Sequence, residues 1–175
     1  MRIRKIFSWL LLLGALVLSF SLMVGILTAQ SAAAAIRQLE EAPGQVVYQS
    51  RQTLKDTHGN SWNAIAFKRI RPDGKTSFAL RLVGFPGMVA IDRDRPLVLT
   101  NSMGKKLIAA DASNNIFTDS AVPEPHVGQY NLQPLLAQLQ AEIPLKLMLP
   151  TIGGEAINLS VPPDFVQDWK TLASL

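Results

Sequence analysis

The feature that most constrains this chain is a stretch of thirty residues without a charge, from Ile6 to Ala35. It follows three cations, Arg2, Arg4 and Lys5. Each Leu, Ile, Val or Phe in such a stretch favours membrane insertion by roughly 0.3 to 0.6 kcal/mol. Fourteen of these residues lie between Ile6 and Leu27, so we expect this leader to enter a membrane and the rest of the chain to cross it.

The end of the leader allows two outcomes. The small residues from Thr28 to Ala35 are typical of the cleavage region of a signal peptide, with cleavage expected after Ala34 or Ala35. The twenty-two residues before them are also long enough to span a bilayer of about 30 Å as one helix, so an uncleaved anchor is the alternative. In both cases the chain from Ile36 onward is exported.

Charge and cysteine content narrow the function of the exported part. The whole chain has 17 Lys and Arg against 13 Asp and Glu, a net charge of +4. Three of the cations belong to the leader, which leaves 14 against 13, so the basic pI gives no reason to expect a nucleic-acid partner. The absence of Cys excludes disulfides, thiol catalysis and cysteine-bound metal.

The length after the leader suits one domain with one core. We therefore divide the chain into a signal peptide or membrane anchor at 1–35, a spacer at 36–44 and a single domain at 45–175. The spacer is polar and ends in the turn pair Pro43-Gly44, which suggests a tether or a short helix.

The clearest local pattern is a β-hairpin. Two strand-like runs, Trp62–Arg71 and Thr76–Phe85, are joined by Pro72-Asp73-Gly74-Lys75, which favours a tight turn with a bulge. Because side chains alternate along a strand, one face is predicted to be apolar with Lys68 as its lone charge. The apolar positions on this face are Ala64, Ala66, Ile70, Phe78, Leu80 and Leu82. The opposite face mixes apolar and basic side chains and is predicted to be only partly covered.

Short strand-like runs separated by turns indicate an antiparallel meander. Further strands are expected at Val46–Leu54, Met88–Ile91, Leu97–Thr100, Lys105–Ala110, Ile116–Thr118, Leu145–Leu149 and Glu155–Val161. Residues 121–128 contain two prolines and are predicted to form a loop or linker.

Two short helices are predicted beside the sheet. One follows Asn131, where four leucines between Leu132 and Leu139 recur at helical spacing. The other begins at Pro162-Pro163-Asp164 and carries Trp169 on its apolar face. The expected fold class is α+β: a twisted antiparallel sheet of about six to eight strands with two short helices, preceded by an N-terminal hydrophobic signal or anchor helix.

The mixed face of the hairpin carries the candidate binding residues. Arg69 and Arg81 are predicted to share this face with Ile65 and Phe67, and Arg71 follows at the end of the first strand. A basic and partly apolar surface could bind an acidic membrane protein or lipid headgroups. The alternative is a face covered by one of the helices, with the basic side chains reaching water past it.

The sequence contains no recognisable catalytic pattern. His58 and His126 lie in turn-rich segments without a second His or a Cys at ligand spacing, so we predict surface residues and no metal site. Asp92 and Asp94 alternate with arginines, which indicates a self-neutralising turn rather than a cation site. We therefore expect no catalytic residues, no cofactor and no enzymatic activity.

Two segments carry a resemblance: Arg71-Pro72-Asp73-Gly74-Lys75 through Leu82-Val83-Gly84-Phe85-Pro86-Gly87, and Val161-Pro162-Pro163-Asp164-Phe165 with Asp168-Trp169. They are similar to a family of exported cyanobacterial proteins of unknown function. The resemblance implies a periplasmic or thylakoid-lumen location and supplies no catalytic residues.

We therefore expect an exported, non-enzymatic interaction or assembly protein at the periplasmic or lumenal membrane surface. One alternative is a carrier that holds a small apolar ligand in a curled sheet or barrel. Another is a hydrolase whose site no motif marks.

Overall fold

The computed structural model describes residues 36–117 and 122–175. Within these ranges the chain forms nine strands, two 3-10 helices and one α-helix. The strands are β1 (Arg37–Ala42), β2 (Gln45–Lys55), β3 (Ser61–Ile70), β4 (Thr76–Val83), β5 (Leu97–Asn101), β6 (Lys106–Ala109), β7 (Val127–Asn131), β8 (Leu145–Leu149) and β9 (Ile157–Val161). The 3-10 helices comprise Ser113–Asn115 and Gln133–Gln138, and the α-helix, α1, comprises Pro163–Ser174.

The strands form two antiparallel sheets around the main core, and a small second cluster of buried side chains, Val47, Phe67 and Ala79, lies on the other face of the first sheet. The first sheet has the order β1-β2-β3-β4-β7 and the second has the order β6-β5-β8-β9. Isolated bridges join them at two places: Asp56, after β2, pairs with Leu159 of β9, and Asp111, after β6, pairs with Tyr130 of β7. We call the sheet faces that enclose the core inner and the opposite faces outer.

The β3–β4 hairpin has the predicted register. The N–H of Arg71 donates to the carbonyl oxygen of Lys75 at 3.0 Å, and Ala66 lies opposite Leu80. The inner face of this hairpin is closed, because each of its central side chains is at most 1% exposed. These side chains are Trp62, Ala64, Ala66, Phe78, Leu80 and Leu82.

Helix α1 packs against β2 and β3. Its buried face includes Trp169, whose indole Nε1 donates to the Gln52 side-chain oxygen at 3.1 Å. At the C-terminal end of α1, Lys68 Nζ donates to the carbonyl oxygen of Ala173 at 2.8 Å. The last carbonyls of a helix lack intrahelical donors and carry partial negative charge. The lone charge that we predicted on the inner face therefore binds the C-terminal turn of α1.

The fold has more sheet than we predicted and is not clearly α+β. The helix expected after Asn131 is wrong, since Gln133–Gln138 forms a 3-10 helix. Leu132 and Leu135 are buried, and their i, i+3 spacing fits a three-residue turn as well as an α-helical one. Asn131 still binds the start of this turn, because its side-chain oxygen accepts a hydrogen bond from Gln133 N at 3.1 Å.

Residues 36–44, which we expected to be a tether or short helix, contribute a strand to the first sheet. Gly44 adopts a positive φ of 73°, which glycine tolerates, and the Pro43-Gly44 turn reverses the chain. Strand β1 then pairs with β2, with Arg37 opposite Gln49. The polar composition of this segment reflects an exposed edge strand rather than a spacer.

Three other assignments change. Met88–Ile91 is not a strand, although Ile91 makes an isolated bridge to Thr151. Ile116 and Phe117 follow a 3-10 helix and form no strand, while Thr118 lies outside the described residues. Strand β7 was missed, and its first two residues fall in the expected loop at 121–128. The prolines of that loop precede β7, so they do not interrupt its pairing with β4.

Residues 34–175 form one compact unit. Its described residues contain a continuous hydrophobic core drawn from both sheets and α1, as expected of a domain that folds independently. The leader at 1–35, with its predicted cleavage site and anchor, lies outside the described residues. Among the described residues, no helix is long and apolar enough to cross a membrane.

Candidate functional site

The outer face of the β3–β4 hairpin brings together two of the predicted arginines. Arg69 lies opposite Ser77 and Arg81 lies opposite Ile65, so both side chains leave the same face. The guanidinium carbons of Arg69 and Arg81 are 5.5 and 5.4 Å from the centre of the Phe67 ring. Both distances allow a cation–π interaction. The prediction that the two arginines share a face with Phe67 is confirmed.

A carboxylate from β1 holds Arg69. Arg69 Nε donates to Glu41 Oε2 at 2.8 Å, and Arg69 Nη2 donates to Glu41 Oε1 at 3.2 Å. This two-point contact fixes the plane of the guanidinium group, and the Arg69 side chain is only 14% exposed. The hydrogen bond from Arg69 holds the pKa of Glu41 below its usual value. Sequence reasoning missed this partner because Glu41 lay in the expected spacer.

A buried amide from β7 holds Arg81. Arg81 Nε and Nη2 donate to the side-chain oxygen of Gln129 at 3.1 and 2.8 Å. Gln129 is fixed in turn, because its backbone N–H donates to Ser113 Oγ at 3.0 Å and its amide group donates to the Ala112 carbonyl at 3.3 Å. Burial lowers the pKa of Arg81, and the nearby charge of Arg69 adds to this effect. Gln129 was missed together with its strand.

Two adjoining clefts run along this outer face, and we call them together the arginine groove. One has a volume of about 620 Å³ and the other about 240 Å³, and Arg69, Arg71 and Asn115 line both. The larger cleft is also lined by Glu41, Ala42, Gln45, Ile116 and Phe117. The smaller cleft extends past Phe67 and Ser77 to Asp111, Gln129 and Asn131. Segment 110–117 thus forms a second wall opposite the sheet.

The groove combines charge with apolar surface. Arg71 is exposed, unlike Arg69, and is the cation most accessible to a ligand. The Phe117 side chain is 48% exposed and lies with Ile116 on the wall of the larger cleft. An extended segment that carries a carboxylate and an apolar side chain would match both features. Of the three predicted arginines, Arg69 and Arg71 line the groove, and Arg81 lies beside it, against Phe67 and Gln129.

The family comparison covers nearly the whole compact unit. Residues 34–172 match the family model described as "Protein of unknown function (DUF3122)". The chain belongs to the DUF3122 family. The match confirms the expectation of a domain of unknown function, and it includes both sheets and the arginine groove. No curated protein and no solved structure gives a match.

In this DUF3122 domain, hydrogen bonds hold the turn at Asp92–Asp94 in place. Asp92 Oδ1 accepts a hydrogen bond from Asp94 N at 3.1 Å, which closes the turn locally. Arg93 Nη2 donates to the carbonyl oxygens of Pro123, Glu124 and Val127 at 2.9, 2.7 and 2.9 Å. Arg93 thus ties the turn to the loop that leads into β7, which the sequence did not indicate.

The histidines of the DUF3122 domain lie apart from the groove lining. His58 is exposed in the turn after β2, and His126 is half-buried just before β7. In the part of the chain that the structure describes, no three His, Asp or Glu side chains are placed to hold a metal ion together.

Proposed function

We propose that this DUF3122 protein is an exported, non-enzymatic interaction or assembly protein at the periplasmic or lumenal membrane surface of a cyanobacterium. The uncharged leader behind three cations supports export. We propose further that the arginine groove binds an acidic segment of a membrane protein. The observation that carries this proposal is the position of Arg71, which is exposed and lines, with Phe117, a groove in which Glu41 already holds Arg69 in place.

The fixed arginines and the exposed arginine contribute to binding in different ways. Arg69, which lines the groove, is fixed by Glu41, and Arg81, which lies beside it, is fixed by Gln129, so both side chains lose little freedom when a partner binds. Arg71 is exposed and gains most from a carboxylate, since a charged hydrogen bond is stronger than a neutral one. The apolar side chain of Phe117 contributes surface that is buried from water when a partner binds.

The interior supports this proposal over the carrier hypothesis. Trp62, Tyr130 and Trp169 are each fully buried between the sheets and α1, together with many leucines. Side chains therefore occupy the space in which a carrier would enclose an apolar ligand. A binding site on the outer face requires no change in this core.

The test is capture of partners from solubilised membranes of the source organism by the full chain. We expect Arg71→Glu to reduce capture of a specific partner by at least about tenfold, because it places a like charge against the acidic segment. Arg95→Glu is the matched control, since Arg95 is also exposed but lies outside the groove lining. Capture by the unchanged protein should also weaken as salt rises.

Equal capture by the unchanged protein, Arg71→Glu and Arg95→Glu would contradict the proposal. The pair Arg69→Glu and Arg81→Glu is a second test of the same face, but Arg69→Glu also opposes Glu41. Loss of capture by this pair counts only where its urea unfolding curve shows that the domain remains folded.

A further inference from the structure

A second basic site lies on the outer face of the first sheet, where the described chain begins. A cleft of about 360 Å³ is lined by Arg37, Gln49, Arg51, Gln52, Thr53 and Asn63. Arg37 of β1 lies opposite Gln49 of β2, and Arg51 follows two residues further along β2. Because alternate residues of a strand share a face, Arg37 and Arg51 leave the sheet on the same side.

These two arginines are available for a ligand. In the described ranges, neither Arg37 nor Arg51 has a hydrogen bond or an ion pair, and both are exposed. The residues that line the cleft include no acid to balance their charges. Gln49 and Asn63 add amide groups that can donate hydrogen bonds. The cleft thus offers two cations and neutral donors to one anion.

The position of the cleft in the chain indicates where that anion lies. Arg37 follows Ala35, the last residue of the uncharged leader, by two residues. The twenty-two residues that could span the bilayer end at Leu27, ten residues before Arg37. An extended residue spans at most about 3.6 Å, so the Arg37 backbone lies within about 36 Å of the end of that span. With the leader retained as an anchor, this length of chain allows the cleft to reach the lipid headgroups. Phosphate is the anion present there at high concentration.

We propose that Arg37 and Arg51 bind the phosphate of an anionic lipid headgroup. The planar guanidinium fork presents two parallel N–H groups that match two phosphate oxygens. Binding would hold the first sheet at a fixed orientation to the bilayer. This inference rests on the proposed location at the membrane surface and does not depend on the arginine groove.

The test uses residues 34–175, which form a compact unit with its own core, and vesicles of known composition. Co-sedimentation is measured with phosphatidylglycerol vesicles and with phosphatidylcholine vesicles. One basic residue near an anionic surface changes binding by about fivefold, so we expect Arg37→Gln with Arg51→Gln to weaken binding to phosphatidylglycerol about 20- to 30-fold.

The matched control is Lys105→Gln with Lys106→Gln, which removes the same charge from exposed residues at the start of β6. We expect this pair to retain most of the binding. An equal loss in both pairs would overturn the proposal, because it would show that net charge alone attracts the domain.

A titration of the same domain with inorganic phosphate distinguishes the two sources of phosphate. Binding of free phosphate at Arg37 and Arg51 without binding to either kind of vesicle would also overturn the proposal. We expect Arg37→Gln with Arg51→Gln to keep the partner that Arg71→Glu loses. If vesicle binding fails while that capture persists, the headgroup site is wrong and the proposed function stands.

Discussion

The two faces of the β3–β4 hairpin differ in how completely their side chains are enclosed. On the inner face, the central apolar side chains are fully buried and the one cation, Lys68, binds a helix carbonyl. On the outer face, Arg69 and Arg81 flank an aromatic ring and line or adjoin a groove open to solvent. The same two strands therefore supply folding free energy on one side and a candidate binding surface on the other.

The largest effect should come from the inner face. We expect Leu80→Ala, at a fully buried position, to lower the free energy of unfolding by about 2 to 5 kcal/mol, since it removes apolar contacts and leaves a cavity. Urea denaturation measures this change. Ser77→Ala, half-buried on the outer face of the same strand, is the control and should change little. Similar values for both variants would show that the two faces do not differ as described.

A smaller effect should come from the cation on the inner face. Lys68→Met replaces the aliphatic part of lysine with an apolar side chain of similar length and removes the amine that donates to the Ala173 carbonyl at the end of α1. We expect a loss of about 1 kcal/mol in unfolding free energy, with partner capture unchanged. Lys106→Met, at an exposed position, should have no measurable effect on stability. A capture defect in Lys68→Met would assign Lys68 to binding instead.

The smallest effect should come from the ion pair on the outer face. The pKa of Glu41 is lower in the folded state than its usual value of 4.5. The Glu41 carboxylate therefore stabilises the fold at pH values above 4.5, and this contribution is lost as the pH falls through the folded pKa. Glu41 is partly exposed, so we expect Glu41→Gln to cost at most about 1 kcal/mol at pH 7. In urea denaturation, the difference from the unchanged protein should be smaller at a pH well below 4.5 than at pH 7. A difference that is equal at both pH values would contradict this role.

The parts of the fold that follow from local patterns were predictable. The Pro72-Asp73-Gly74-Lys75 turn and the alternation on either side of it determine the register of the hairpin. Proline at the start of α1 and its apolar spacing likewise locate that helix. From these elements, the shared face of Arg69 and Arg81 could be predicted correctly.

The partners of those arginines could not be predicted, for physical reasons. Strand β1 is an exposed edge, so it lacks the apolar alternation that marks a strand, and Glu41 was assigned to a spacer. Strand β7 contains Gly128 and Gln129, which have little intrinsic β preference, and its pairing with β4 depends on the tertiary fold. Strand β1 lies at one edge of the first sheet, beyond β2, and β7 lies at the other edge beside β4, so Glu41 and Gln129 reach the two arginines from opposite sides.

The most direct test of the difference between the two faces measures stability and capture on the same two variants. We expect Arg71→Glu to lose the membrane partner with an unchanged urea midpoint. We expect Leu80→Ala to lower the midpoint and, at a temperature where it remains folded, to capture the partner as well as the unchanged protein does. If Arg71→Glu captures the partner normally, or if Leu80→Ala loses capture while folded, the outer face is not the binding surface.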